Sequence, residues 1–111
     1  MSQIAKTLEP PYYAVIFTSK MADDEINAEG YSDMANQMLA LAAEQTGFLG
    51  FESAREDLGI SVSYWSDLEA IKAWKQQSDH QIAQQKGQEY WYQQYKVRVA
   101  KVERDYLFSN S

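Results

Sequence analysis

The chain has 111 residues, 45% apolar and 23% charged, with 10 Lys/Arg against 16 Asp/Glu and a formal net charge of −6. That length holds one domain with a single core, because domains usually run to about 100–150 residues. Zero cysteines and one histidine exclude a disulfide scaffold, a thiolate nucleophile, an iron–sulfur cluster and any multi-histidine metal site, and the acidic field excludes a phosphate backbone as partner, so neither metal nor nucleic acid is expected.

Residues 1–10 read as a tail closed by Pro10 and Pro11, residues 11–107 as one domain, and residues 108–111 as a second tail. The N-terminal stretch lacks the apolar region of a signal peptide, and no apolar run reaches membrane-spanning length. A cytoplasmic protein without a membrane partner is the expectation. From Tyr12 to Ser19 apolar residues occupy both alternating sides, the pattern of a central strand covered on both faces. Met21–Gly30 is acidic and irregular and reads as a loop. Ser32 is an expected N-cap, followed by Met34, Met38, Leu41 and Ala42 at helical spacing, with an end near Gly47. Leu49–Glu56 and Ile60–Tyr64 alternate around the turn residues Glu56-Asp57-Leu58-Gly59 and predict an antiparallel hairpin. Ser66-Asp67-Leu68-Glu69 has the form of a capping box, opening a helix with Leu68, Ile71 and Trp74 on its apolar side. Ser78-Asp79-His80-Gln81 resembles a second cap, which predicts a break near Gln77 and a further helix over Asp79–Gln94. Its inner stripe would carry Ala83, Gly87 and Tyr90 or Trp91. The last strand, Tyr95–Tyr106, shifts phase at Ala100 and Val102, as a β-bulge would make it do.

The order strand, helix, strand, strand, helix pair, strand predicts an α+β, ferredoxin-like βαββαβ fold: a four-stranded antiparallel sheet with its helices on one face. The first strand is nevertheless apolar on both faces. A second copy, sheet against sheet, covers the other face in a symmetric homodimer.

No dinucleotide fingerprint, phosphate loop, nucleophile elbow or zinc-protease motif occurs. Four bases, Lys96, Arg98, Lys101 and Arg104, cluster near the C-terminus and read as the wet face of an edge strand, where charge blocks edge-to-edge aggregation, or as a site for an anionic ligand. Fifteen aromatic residues serve core and interface, or line a pocket for a flat ligand. His80 reads as a linker residue at a helix start or as a pocket acid/base. Trp65, ending the third strand, reads as packing or as a pocket wall, and Trp74 and Trp91 as helix-face core. Arg55 reads as a solvated charge or as a carboxylate anchor. Tyr90, Tyr92 and Tyr95 crowd one helix end as packing.

Several segments together resemble a known family: Tyr13-Ala14-Val15-Ile16-Phe17-Thr18; Gly47-Phe48-Leu49-Gly50-Phe51-Glu52-Ser53; Ser63-Tyr64-Trp65-Ser66; Glu69-Ala70-Ile71 with Trp74; His80; and Gly87, Trp91-Tyr92, Tyr95, Arg98 and Arg104-Asp105-Tyr106. Over about Pro11–Tyr106 the chain resembles the antibiotic biosynthesis monooxygenase (ABM) domain, in its branch of small stand-alone bacterial proteins. The resemblance implies a dimeric α+β barrel, with a pocket between sheet and helices in each subunit. It also implies either cofactor-free oxygenation of polyphenolic aromatics or heme binding and degradation. Trp65 matches a tryptophan associated with the pocket of the cofactor-free oxygenases. Ser61 stands four residues earlier, where those enzymes have an asparagine. For the heme-degrading members Trp74 matches the helix tryptophan, and Gln84 or Gln85 falls at the histidine position. His80 lies about one helical turn away, and the first strand offers Thr18 or Ser19 for an asparagine.

The expected function is a monooxygenase, independent of any cofactor, acting on a small electron-rich aromatic of phenol or quinol type. His80, Trp65 and Ser61 are the expected catalytic residues. Trp74, Trp91, Tyr90, Phe17, Phe51 and Arg55 are expected to contact substrate. The alternatives are a non-catalytic dimer that binds heme or a phenolic metabolite, a heme-degrading monooxygenase with a non-standard ligand, and a structural dimer with a filled core.

Overall fold

The computed structural model describes residues 3–22, 31–85 and 92–110, with side chains for all of these except 31–32 and 80–85. Its elements in chain order are β1 (Tyr12–Met21), α1 (Tyr31–Ala43), β2 (Phe48–Arg55), β3 (Leu58–Trp65), α2 (Leu68–Gln85) and β4 (Tyr92–Val102). The four strands form one antiparallel sheet in the order β2-β3-β1-β4. This is the ferredoxin-like βαββαβ arrangement, and β1 is central as its two-sided apolar alternation requires. On α1, the spacing of Met34 and Ala42 turns both inward, and both are buried. Ala42, Trp65 and Ile71 form the centre of the core, with Tyr13, Val15, Phe48, Ala70 and Trp74 packed against it.

Gly47 sets the path from α1 into β2. Its φ is +90°, in the region that costs a residue with a Cβ, and an added Cβ would lie 2.6 Å from the Cβ of Ala70. The Gly47 carbonyl accepts the Ser66 amide at 2.8 Å, which ties the start of β2 to the entry of α2.

Four local expectations are corrected. The cap of α2 is Asp67, whose Oδ1 accepts the Ala70 amide at 2.8 Å, while the Ser66 hydroxyl donates to Asp67 instead of capping. Ser32 lies inside α1. No helix break occurs near Gln77: α2 is continuous because the Ser78 hydroxyl donates back to the Lys75 carbonyl at 3.1 Å and Asp79 pairs with Lys75 at 2.8 Å. Both would-be capping side chains are satisfied within one helix. The predicted second helix cannot reach Gln94, since β4 begins at Tyr92; its expected stripe residues Gly87, Tyr90 and Trp91 lie outside the described residues.

The bulge expected at Ala100 is also absent, for β4 pairs with β1 in unbroken register from Val102 to Gln94. Register shifts occur instead between Lys20 and Met21 and between Phe48 and Gly50. The second leaves Leu49 unpaired and brings Phe48 and Phe51, three residues apart, onto the same face.

On the face away from the helices, Tyr12 and Ala14 are buried within one chain. The Ala5 amide donates to Glu52 Oε2 at 2.8 Å, Tyr64 Oη donates to Glu52 Oε1 at 2.6 Å, and Tyr12 Oη donates to Asp105. A strap of chain thus covers one end of this outer face. Leu58 and Ile60, at the other end, stay about half exposed.

Candidate functional site

The pairing registers arrange the helix-side face of the sheet into four cross-strand rows, each running from β2 through β3 and β1 to β4. They are Phe48–Trp65–Tyr13–Lys101, Phe51–Ser63–Val15–Val99, Ser53–Ser61–Phe17–Val97 and Arg55–Gly59–Ser19–Tyr95. Successive rows are two residues apart along the strands, so the first and last are separated by about 20 Å.

The first row is closed. Trp65 is 0% exposed, stacks on Trp74 with ring centroids 5.8 Å apart at 25°, and receives the edge of Phe48 at 5.4 Å. Its indole N–H donates to Ser63 Oγ at 2.8 Å. The one polar atom of the ring is thereby satisfied inside the core, as burial of an N–H demands.

The other rows open toward β4. Among the described residues α1 packs on β2 and α2 on β3, and neither helix packs as closely on β4. On that side Val99 is 51% exposed, Val97 49% and Tyr95 38%, although all three face the helix layer. Small polar residues, Ser53, Ser61, Ser63 and Ser19, form the floor beside them. Phe17 meets Tyr95 at 5.0 Å and Tyr92 at 5.5 Å, and the two tyrosines meet each other at 5.4 Å. The result is an aromatic ledge next to hydroxyl groups.

The expected site residues therefore separate. Trp65 and Trp74 lie together in the packed end. Phe51, Ser61 and Phe17 fall on the two middle rows, and Arg55 on the last row, where Gly59 and Ser19 are buried. His80 lies on α2, with its side chain outside the description, and Tyr90 and Trp91 lie outside the described residues. Ser63, Ser19, Gly59 and Tyr95 complete the rows. The sequence marks Tyr95 as packing, Ser63 and Ser19 only through the family resemblance and Gly59 as a turn residue, and it marks none of them as a site residue. Their place follows from register between strands that are distant in sequence.

The remaining tyrosines with displaced titration are poor proton acceptors. Burial, then the hydrogen bond to Glu52, pushes the Tyr64 phenol up, and burial with the Asp105 contact does the same to Tyr12. Both stay neutral and both belong to the outer face. A groove of about 410 Å³ opens on exposed positions of α2, and the described residues that line it, Gln45, Ala73, Gln76 and Gln77, carry no titratable group. Among the described residues no three His, Cys, Asp or Glu side chains gather as metal ligands. No described helix is long and apolar enough to cross a membrane.

Comparison with known proteins places this architecture. Residues 13–86 match the family model of the antibiotic biosynthesis monooxygenases. The chain belongs to that family. It is 50% identical to the uncharacterized protein YqjZ of Bacillus subtilis (strain 168) over 113 residues, covering all of this chain and 96% of the relative. Among solved structures it resembles SnoaB, a cofactor-independent oxygenase from Streptomyces nogalater, with a TM-score of 0.68 at 13% identity over 85% of this chain and 95% of that one. It also resembles a dimeric ferredoxin-like protein from an uncultured marine organism, with a TM-score of 0.68 at 8% identity over 90% and 95% of the two chains. At these identities the structural likenesses speak for the fold.

Proposed function

We propose that the protein is a cytoplasmic monooxygenase that binds a small electron-rich aromatic over the open rows and oxygenates it without a cofactor. The observation that carries this reading is the half-exposed apolar strip of Tyr95, Val97 and Val99 on a face otherwise covered by helices. Flat hydrophobic ligands are held by such strips when a few polar groups fix their orientation. Ser61 and Ser63 supply hydroxyls beside it, and Phe17 and Phe51 supply ring and edge contacts. SnoaB's description as a cofactor-independent oxygenase agrees with this chemistry.

In the proposed reaction a quinol-type substrate loses a proton, and the resulting electron-rich anion reduces dioxygen directly. At a ring methylene, both hydrogens leave, one oxygen atom becomes the new carbonyl, and the other leaves as water. The substrate supplies all the electrons, so the protein need only remove the proton and shield the anion from solvent. His80, the sole histidine, is the proposed proton acceptor. Ser61 is the proposed donor to the anion, while Trp65 and Trp74 form the rigid wall behind it. Tyr90 and Trp91 are proposed to contact substrate from beyond α2.

The same strip supports a second reading, a binding protein for a phenolic metabolite that performs no turnover. Oxygen uptake on anthrone- and naphthoquinol-type substrates separates the readings. Incorporation of one atom of labelled dioxygen per turnover supports the monooxygenase, and binding without uptake leaves the ligand-binding protein.

We further propose a homodimer through the outer sheet face. Leu58 and Ile60 present apolar surface there beside Val62 and Ile16, and a structural relative is described as dimeric. Light scattering on the wild type and on Ile60→Lys tests it: a dimer that the substitution converts to a monomer is the expected result.

A further inference from the structure

The outer face of the sheet, away from the helices, has rows of its own from β2 through β3 and β1 to β4. They are Gly50–Tyr64–Ala14–Ala100, Glu52–Val62–Ile16–Arg98 and Ala54–Ile60–Thr18–Lys96, with Lys20 next between Leu58 and Gln94. Charge divides this face by strand. β2 brings the carboxylate of Glu52, and the exposed Glu56 and Asp57 follow in the hairpin turn. β4 brings the exposed cations Arg98 and Lys96, with Lys20 on β1 beside them. Between these margins stand Val62, Ile60 and Ile16. The second row therefore reads acid, apolar, apolar, base across the sheet.

A row of that form is self-complementary. A two-fold axis lying in the interface, parallel to the strands and between β3 and β1, lays the row on itself in reverse order. β2 of one copy then lies over β4 of the other, with Glu52 opposite Arg98 and Val62 opposite Ile16. A two-fold perpendicular to the strands lays β4 over β4 instead, and sets Arg98 and Lys96 against the same cations of the second copy. Facing sheets stand about 10 Å apart, a gap that a glutamate and an arginine side chain span together. Glu52 is already fixed in place: one oxygen accepts the Ala5 amide at 2.8 Å and the other the Tyr64 hydroxyl at 2.6 Å. The residue is only half-buried, and each carboxylate oxygen has a second acceptor site to offer.

We propose that a second copy of this chain docks on the outer face with its β4 over β2, and that Arg98 of each copy pairs with Glu52 of the partner subunit. This inference rests on the homodimer reading and adds to it the direction of the two-fold axis and the charge pair that sets it. The pair occurs twice in the dimer, and it selects one arrangement of two apolar faces that hydrophobic contact alone does not orient.

The test is sedimentation equilibrium of the full chain over a range of concentrations. The wild type should be a dimer. Arg98→Glu sets two carboxylates against each other at both symmetric sites and should weaken the dimer about a hundredfold or more. Glu52→Arg should weaken it likewise. Mixing the two variants should restore association close to the wild-type value, because the mixed dimer regains both pairs of opposite charge. Circular dichroism reports whether each variant keeps its fold. If Glu52→Arg does not, Arg98→Glu combined with Glu52→Gln, which leaves Tyr64 an acceptor, should recover part of the loss. Undiminished association of Arg98→Glu, or a loss that neither the mixture nor Glu52→Gln recovers, overturns the proposal. A dimer broken by Ile60→Lys but indifferent to Arg98→Glu removes this inference alone. A monomeric wild type removes the homodimer reading with it.

Discussion

At one end of the helix-side face, Phe48, Tyr13 and, from α2, Trp74 pack against the core around Trp65 and leave it fully buried. At the other end, about 20 Å along the same strands, the row holds Arg55, Gly59, Ser19 and a half-exposed Tyr95. The strands and their pairing are common to both ends, and only side-chain size and polarity differ. Large aromatics fill the space under the helices and become core. At the other end Ser19 is buried, the Arg55 side chain reaches over Gly59 to it, and Tyr95 stays half exposed. In this fold one tryptophan-rich end supplies rigidity and the other end supplies room, so an aromatic residue near the expected pocket is not thereby a pocket residue.

Substitutions at the packed end should cost the most stability. Trp65→Ala should lower the unfolding free energy by about 3–5 kcal/mol, the usual cost of emptying a buried Trp site. A loss below about 1 kcal/mol in urea melts would mean that the indole lines open space. Gly47→Ala, which forces a Cβ onto Ala70 at a positive φ, should cost about 2–3 kcal/mol in the same melts. Asp67→Ala removes the cap that starts α2 under Trp74 and should cost about 1 kcal/mol, with Asp67→Asn retaining most of it.

The outer-face strap gives a pH test that leaves both ends untouched. The folded Tyr64 phenol titrates above its ordinary value of 10.0, first through burial and then through Glu52. Its contribution is therefore fully present below pH 10 and is lost as pH rises beyond that value. Thermal melts of the wild type should fall above pH 10, and Tyr64→Phe should flatten that fall. The smallest effect belongs to the exposed Lys75–Asp79 pair on α2. Its removal by Lys75→Ala should change stability by about 0.3–0.5 kcal/mol, and less at high salt.

Much of the fold was legible because periodicity carries it. The two-sided alternation of Tyr12–Ser19 put β1 at the sheet centre, and Met34 and Ala42 marked the buried side of α1. What escaped depended on choices that local sequence leaves open. Ser78-Asp79 serves equally as a cap or inside a helix, and the contacts with Lys75 decide between them. Leu49 fits the alternation of its neighbours, so its unpaired position emerges only from the register with β3. At the site, alternation put Trp65 and Ser61 on one face but did not reveal that α2 seals the tryptophan. The Arg55–Ser19 contact joins β2 to β1 across an intervening strand. No motif signals it, because it depends on the absence of a side chain at Gly59.

The division between the two ends is most directly tested by amide and indole chemical-shift mapping during titration with 2-naphthol. Shifts should concentrate at Ser61, Tyr95, Val97 and Val99, while the Trp65 indole N–H, bonded to Ser63 in the core, does not move. Largest shifts at the Trp65 indole, with Tyr95, Val97 and Val99 unchanged, would contradict this division.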